Sequence, residues 1–283
     1  MMISGKTKIF GIFGHPVEHT FSPGMHNAAF RKLGMNACYV PFAVHPERLA
    51  EAVGAVVPLN LRGVNITVPH KEKVIPYLHE LSREAGLIGA VNTLEIREGR
   101  LIGHNTDGRG FLRSLGEQAR FNPKGKSFLC IGSGGAARAV GFSLALAGAS
   151  CIRFHDLDHD KAGTLARDIR IKTRVDVQAI TRESLATAAA GADCLINATP
   201  LGLRKADALP LPSSLIHARH LVCDLVYNPP QTPLLKQARA RKARTLTGLG
   251  MLLYQGVIAF EIWTGVKAPV TVMQSALKRQ IRD

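Results

Sequence analysis

Acidic residues are scarce in this chain: 21 Asp and Glu stand against 36 Lys and Arg among 283 residues, a formal net charge of +15 at pH 7. The basic excess is not laid out as a nucleic-acid surface. Lysine and arginine are scattered, with the densest groups at Lys236–Arg244 and Lys278–Arg282 on expected solvent faces of helices. No aromatic side chains interleave them to stack bases, and no helix-turn-helix is legible. The charge implies a general attraction for anionic ligands, with neither nucleic acid nor membrane as a partner. Long apolar runs are absent too, so no segment is expected to span a bilayer. The opening Met1-Met-Ile-Ser-Gly-Lys-Thr-Lys8 lacks the apolar core of a secretory signal. Paired cysteine spacing is missing: Cys38, Cys130, Cys151, Cys194 and Cys223 are an odd number, four of them inside apolar runs. They are expected as buried thiols in a reducing, cytoplasmic setting. His/Cys clusters with metal-ligand spacing are lacking as well, so no metal is expected.

What the chain does have is a glycine-rich break between a strand and a helix. In Phe128-Leu-Cys-Ile-Gly-Ser-Gly-Gly-Ala-Ala-Arg-Ala139, an apolar strand gives way to closely spaced glycines and resumes as a helix. This is how a Rossmann-type unit holds a dinucleotide. Gly132 permits the tight turn, Gly134 admits a pyrophosphate close to the backbone, and Ala137 lets the helix lie near the strand. The first amides of that helix, around Gly135 and Ala136, face the phosphates, where the helix dipole favours negative charge. A second strand, Cys151-Ile-Arg-Phe-His-Asp156, ends in an acid placed to accept from both hydroxyls of an adenosine ribose.

The length suits two modest domains, and 46% hydrophobic with 20% charged residues is ordinary for a globular protein. Strand and helix alternate through the first third, which favours a mostly parallel sheet with covering helices. The expected order is a strand at 8–13, a helix at 23–33, a strand at 38–43, a helix from Pro46 and a strand at 63–67. A strand pair at 90–96 and 100–103 turns at Glu98-Gly99, and a helix from Asp107 leads to the dinucleotide unit. Later strands are expected at 193–198 and 220–225, and closing helices at 251–263 and 269–281. The fold class is therefore α/β, with an N-terminal domain of residues 1–106 and 250–283 and a Rossmann-type domain of residues 107–249. The C-terminal helices are expected to pack back on the first domain.

Polar clusters interrupt the apolar strand ends, where open α/β sheets bind ligands. Thr20 and Ser22 are short neutral donors ahead of a helix, fit to hold a carboxylate or, for Ser22, simply to cap the helix. Asn65 and Thr67 share one face of a strand by its two-residue period, and Pro69 ends that strand. Lys71 then falls at an expected helix start, where the dipole disfavours its charge, so the charge serves a purpose or its pKa is lowered. Asn92 is an amide in an apolar strand and needs partners if buried. Asp107 precedes a helix and is suited to cap it or to work beside Lys71. A lysine, an acid and several neutral donors suit proton handling at a polyhydroxylated carbon.

Asn65-Ile-Thr-Val-Pro-His-Lys71, Gly89-Ala-Val-Asn-Thr93, Asn105-Thr-Asp-Gly108, Gly132-Ser-Gly-Gly-Ala-Ala-Arg138, Ile196-Asn-Ala-Thr-Pro200 and Gly248-Leu-Gly-Met-Leu252 occur in this order. Together they resemble the shikimate and quinate/shikimate dehydrogenase family across nearly the whole chain. The resemblance implies a carboxylate clamp of Thr20, Ser22 and Tyr227. It implies ring-hydroxyl contacts from Asn65, Thr67, Asn92 and Gln255, and Lys71 with Asp107 as the catalytic pair. Thr199 and Gly248 would join Gly132, Gly134, Gly135, Ala136, Ala137, Asp156 and Asp158 around the cofactor. Three departures stand out. Thr20 replaces a usual serine, and His104 replaces a frequent acid. Where NADP-dependent members resemble Asn-Arg-Thr, this chain reads Asp156-Leu157-Asp158. Two acids beside a 2′-phosphate repel it, with Lys161 the nearby compensation, so NAD is expected rather than NADP; Asp158 is also suited to cap the next helix. The expected activity is oxidation of shikimate, or quinate, to the keto form, with biosynthetic NADPH-dependent reduction as the rival. A monomer or homodimer acting on a small molecule completes the expectation.

Overall fold

The computed structural model describes residues 3–204 and 206–281. Arg282 of the second basic group, and positions 1–2 and 282–283 of the expected domain span, lie outside them. The chain divides into two compact units, Met1–Thr106 with Gln255–Asp283, and Asp107–Tyr254.

In the first unit, β1 (Lys8–Gly14), α1 (Ser22–Lys32), β2 (Ala37–Ala43), α2 (Leu49–Gly54) and β3 (Leu61–Ile66) come first. They are followed by β4 (Glu80–Leu81), α3 (Arg83–Ile88), β5 (Thr93–Arg97) and β6 (Arg100–His104). The sheet runs β2-β1-β3-β5-β6-β4. It is mixed rather than mostly parallel: β1 pairs parallel with β2 and β3, but β5 is antiparallel to both β3 and β6. The reason is the tight turn at Glu98-Gly99, where both residues take positive φ and reverse the chain without a crossover. Two expected helices are corrected. From Pro46 the chain makes a 3-10 turn before the six-residue α2. Lys71 starts no helix at all: residues 71–74 form turns that lead into a 3-10 segment, Ile75–Tyr77, so no helix dipole acts on that lysine.

In the second unit, α4 (Asp107–Ala119), β7 (Ser127–Ile131), α5 (Gly135–Leu146), β8 (Cys151–His155), α6 (His159–Thr173) and β9 (Asp176–Ala179) come first. α7 (Leu185–Gly191), β10 (Cys194–Asn197), β11 (Leu221–Asp224), α8 (Pro233–Ala240) and β12 (Arg244–Thr247) complete it. Its sheet runs β12-β11-β10-β7-β8-β9, all parallel. This is the doubly wound Rossmann order, which reverses between β7 and β10 and opens a crevice at their carboxyl ends. The strands are apolar runs because helices cover both faces. Leu129, Ile131, Leu195, Val222 and Leu235 lie in one buried cluster. β9, β12 and α7 escaped the sequence reading because each is short, whereas α8 carries the helix expected around the basic group that starts at Lys236.

α9 (Gly248–Thr264) carries the chain from the second unit into the first, and α10 (Val270–Gln280) packs on α1. The single tryptophan fixes the C-terminal part of α9 on the first sheet. Trp263 Nε1 donates to the Leu94 carbonyl at 2.9 Å, and its ring lies where a Cβ on Gly63 would be, 2.5 Å away. All five cysteines are free, but only Cys130, Cys194 and Cys223 are buried; Cys38 and Cys151 are half-buried, against the expectation for apolar runs. Among the described residues no helix is long and apolar enough to cross a membrane, and no group of three or more His, Cys, Asp or Glu could hold a metal ion.

Candidate active site

In the first unit Asn65 lies on β3, Thr67 just past its end, and Asn92 just ahead of β5. Asn65 is 4% exposed and uses both Nδ2 protons, which it donates to the Asn92 carbonyl and to Thr93 Oγ1, both at 3.0 Å. Asn92 is 3% exposed; its Oδ1 accepts from the Thr106 amide at 2.8 Å and from Thr93 Oγ1 at 3.1 Å, while its Nδ2 donates to Thr106 Oγ1 at 2.9 Å. The expected partners of a buried amide are thus present, and they fix which way each amide faces. Thr67 follows β3 with its amide donating to the Phe13 carbonyl at 2.9 Å.

Lys71 is set by its neighbours in the chain. His70 is fully buried with Nε2 2.8 Å from the Val44 carbonyl, and the Lys71 carbonyl accepts from the Val91 amide at 2.8 Å. Burial pushes the His70 pKa down, partly countered by the Val44 bond. The segment after Pro69 is therefore pinned on both sides of the lysine, and Lys71 itself is half-buried.

Ser22 is buried and is the first residue of α1 rather than its cap. The cap position is Phe21, whose side chain makes no capping bond, and the first helical amide, that of Ser22, donates to Thr20 Oγ1 at 3.3 Å. The capping role open to Ser22 is thus not the one it plays. His104, at a position where the family often has an acid, bonds Glu95 Oε2 at 2.9 Å. Gln255, the first residue of this unit's C-terminal part, is 8% exposed.

In the second unit the glycine loop sits at the switch point of the sheet. Gly132 takes φ +103°, and a Cβ there would lie 2.9 Å from the Ala198 carbonyl, so only glycine fits. Gly134 caps α5 with no side-chain bond, the first turn holds no acid, and a Cβ on Gly134 or Gly135 would meet open space. That leaves the first amides of α5, including Ala136, without a side-chain cap, which fits a phosphate. Ala137 is fully buried, as helix-to-strand packing requires.

Asp156 stands one residue past β8. Its Oδ2 accepts from the Ser133 amide at 2.7 Å and the Ser133 hydroxyl at 2.6 Å, and its Oδ1 from the Asp158 amide at 3.0 Å. Burial pushes its pKa up, but the Ser133 and Asp158 bonds and the Lys161 charge outweigh that and hold it below the usual range. Oδ2 is filled by Ser133, so the remaining accepting capacity of the carboxylate lies at Oδ1, a narrower offer than two open oxygens. Asp158 caps α6, its carboxylate accepting from the Lys161 amide at 3.0 Å.

Thr199 lies beside this loop, its hydroxyl donating to Asn197 Oδ1 at 2.7 Å. A Cβ on Gly248 would collide with the Leu225 carbonyl, so α9 begins hard against the end of β11. Tyr227 is half-buried and burial pushes its phenol pKa up. Asp107 is 6% exposed and is the first residue of α4.

A family model for the shikimate dehydrogenase substrate binding domain matches residues 12–94, and one for the shikimate 5′-dehydrogenase C-terminal domain matches residues 248–278. A protein of Desulforamulus reducens named shikimate dehydrogenase (NADP(+)) is 51% identical over 99% of this chain and 97% of its own length. The chain belongs to the shikimate dehydrogenase family. Two solved shikimate dehydrogenases share its architecture. One, in complex with NADP+, is 42% identical with a TM-score of 0.94 over 99% of this chain and 98% of that one. The other, from Listeria monocytogenes in complex with shikimate and NAD, is 36% identical with a TM-score of 0.92 over 97% and 98%. As a shikimate dehydrogenase family member the protein is an oxidoreductase acting on a CH–OH group and using a nicotinamide nucleotide.

Sequence reasoning missed three residues of these dehydrogenase half-sites. Tyr39 donates to Asn65 Oδ1 at 2.8 Å, Ser133 holds Asp156, and Asp224 binds Asn197, the Val226 amide and Thr232 at 2.8, 3.0 and 2.5 Å. Burial raises the Asp224 pKa, and its three donors oppose the rise. Tyr39 and Asp224 left a signal, a polar group inside an apolar strand. Ser133, between glycines, left none.

Proposed function

We propose that the protein interconverts shikimate and 3-dehydroshikimate, with quinate as a further substrate and NAD preferred to NADP. The observation that carries the substrate half is the set of neutral polar side chains Ser22, Asn65 and Asn92 buried in one unit, which also holds Thr20, Thr67 and Lys71, in a chain 51% identical to a protein named shikimate dehydrogenase (NADP(+)). Thr20, Ser22 and Tyr227 hold the carboxylate, while Asn65, Thr67, Asn92 and Gln255 hold ring hydroxyls. Bound nicotinamide supplies the hydride donor or acceptor. In reduction, Lys71 gives a proton to the carbonyl oxygen as charge grows on it; in oxidation, Lys71 or a linked water takes one. Asp107 orients the reacting hydroxyl and the lysine. Residues 1–106 and 250–283 form the substrate domain in this reading, and 107–249 the dinucleotide domain. The cofactor is held by Gly132, Gly134, Gly135, Ala136, Ala137, Asp156, Asp158, Thr199 and Gly248.

The NAD preference rests on Asp156. Its carboxylate is fixed beside the glycine loop, Leu157 is fully exposed, and the Arg138 guanidinium is 2.8 Å from Asp168. Like charge at Asp156 disfavours a 2′-phosphate, and Lys161 already acts on that carboxylate. The NADP reading has its own support in the relatives' names. Initial rates followed at the reduced-nicotinamide absorbance, crossing NAD and NADP with shikimate and quinate, decide both matters. Turnover of neither acid removes the substrate reading, and a higher kcat/KM with NADP removes the cofactor preference.

A further inference from the structure

Ser133 has the one side chain in the glycine loop Gly132–Gly135, and both of its donors go to a single acceptor. It is 5% exposed. Its amide reaches Asp156 Oδ2 at 2.7 Å, and its hydroxyl reaches the same oxygen at 2.6 Å. The other carboxylate oxygen, Oδ1, accepts from the Asp158 amide at 3.0 Å. Two main-chain amides, one on each oxygen, thus hold the carboxylate, and neither depends on which side chain stands at position 133. The hydroxyl is a third donor on a group already fixed.

A third donor changes what the carboxylate shows to a ligand. A hydroxyl bond to a carboxylate at this distance is in the strong, charge-assisted range, and it concentrates negative charge on Oδ2 at the expense of Oδ1. A carboxylate has about four accepting positions, of which Ser133 takes two and Asp158 one. Burial pushes the Asp156 pKa up, and the Ser133 hydroxyl is the strongest of the influences that bring it below the usual range, ahead of the two amides and the Lys161 charge. An anion satisfied in this way is a weaker acceptor and a weaker source of repulsion than an open aspartate.

We propose that the Ser133 hydroxyl is a specificity-determining group that acts through Asp156 and narrows the preference for NAD over NADP. The ribose of NAD offers hydroxyl donors, and their bond to Asp156 weakens as charge is drawn toward Oδ2. A 2′-phosphate is an anion, and its repulsion weakens for the same reason. Both changes move the ratio the same way. Without the hydroxyl, the carboxylate stays where its two amides put it but regains charge at Oδ1, so the gap between the cofactors widens. A serine that merely braced Asp156 would act in the opposite sense, since its loss would let the carboxylate turn from the ribose.

This role rests on the reading above in which Asp156 faces the ribose, and the measurements separate the two. Calorimetric dissociation constants of AMP and adenosine 2′,5′-bisphosphate, taken at about pH 7.5 where carboxylate and phosphate are both ionised, report on the ribose end without turnover. Asp156→Asn should lower the ratio of the bisphosphate constant to the AMP constant. If it leaves that ratio unmoved, Asp156 does not face the ribose, and the role of Ser133 falls with that reading. Ser133→Ala should raise the ratio about threefold, the lower end of what one hydrogen bond contributes, and should raise kcat/KM for NAD relative to NADP by a similar factor. Ser133→Cys, whose thiol is a weak donor, should shift both in the same direction by less, which covers the case in which alanine disturbs the loop. In the Asp156→Asn background, Ser133→Ala should change the ratio by no more than about 1.5-fold, since no carboxylate remains to respond. With the Asp156→Asn effect present, a ratio that falls or stands still in both Ser133 variants, or one that rises as much in the Asp156→Asn background, overturns the role of Ser133 alone.

Discussion

The two units treat buried polarity in opposite ways. In the first, Tyr39, Asn65, Thr93, Asn92 and Thr106 form a buried chain of neutral hydrogen bonds. In the second, the polar anchors at the strand ends are carboxylates, Asp156 and Asp224, wrapped by hydroxyls and amides. The difference follows from what each would bind. An anionic substrate needs neutral donors that cost little to desolvate, whereas a ribose presents hydroxyls and is best met by an acceptor. In the proposed reading the phosphates would meet the helix amides beside Gly134, which carry positive potential without a charged side chain.

The largest expected effect breaks the comparison where chemistry enters. Replacing Lys71 or Asp107 with alanine should lower kcat at least about a hundredfold with a smaller change in KM, measured by steady-state rates. Near-normal turnover in either variant would remove that residue from the catalytic pair. Next comes the clamp. Ser22→Ala should raise KM for shikimate by roughly 1.5–3 kcal/mol of lost bonding to charge, an order of magnitude or more. Since Ser22 does not cap α1, this effect cannot be attributed to the helix end, and an unchanged KM removes Ser22 from the clamp. Thr20→Ser should change the ratio of shikimate to quinate turnover, because a methyl is lost beside the carboxylate-bearing carbon.

The carboxylate side of the comparison is tested through the cofactor. The unaltered enzyme should favour NAD over NADP at least about tenfold in kcat/KM, which is 1.4 kcal/mol. Asp156→Asn with Leu157→Arg should move that preference toward NADP by removing repulsion and adding a guanidinium, less so at high salt. An enzyme that prefers NADP before any change shows that Asp156 does not repel the phosphate.

A last test leaves activity aside and sharpens the neutral side through stability. Burial pushes the His26 pKa from its ordinary value of 6.5 down to about 3. Between these values the unfolded chain binds a proton that the folded chain refuses, so stability is intact above about pH 6.5 and declines as the pH falls toward 3. The slope it contributes is about 1.4 kcal/mol per pH unit. In denaturant titrations His26→Phe, which keeps a ring over Tyr39, should flatten the loss of stability between pH 6 and pH 4. An unchanged slope would mean that His26 is protonated in the folded protein.

Much of the fold was legible because local rules agree with it. Gly132 at φ +103°, the apolar runs of β7, β10 and β11 and the turn at Glu98-Gly99 each state their geometry in a few residues. The motif that carries Lys71 misled on its surroundings. Pro69 was read as the gate of a helix, but the segment is held open by His70 on Val44 and by Val91 on the Lys71 carbonyl, partners 26 and 20 residues away in the chain. The mixed sheet was half-visible: the hairpin could be read, but not that β3 would take β5 as its antiparallel neighbour.

By itself the sequence determined the two-part α/β plan, the glycine loop at the end of β7 and the identity of the polar groups at the strand ends. These follow from residue type, spacing and backbone freedom, which act over a few residues. Only the tertiary structure decided how those groups spend their hydrogen bonds. Asp156 is half-filled by Ser133, Asp158 is spent on α6, and Asn65 is tied to Tyr39. A donor or acceptor has a fixed small capacity, and which partner fills it depends on strands and helices distant in sequence meeting at one point.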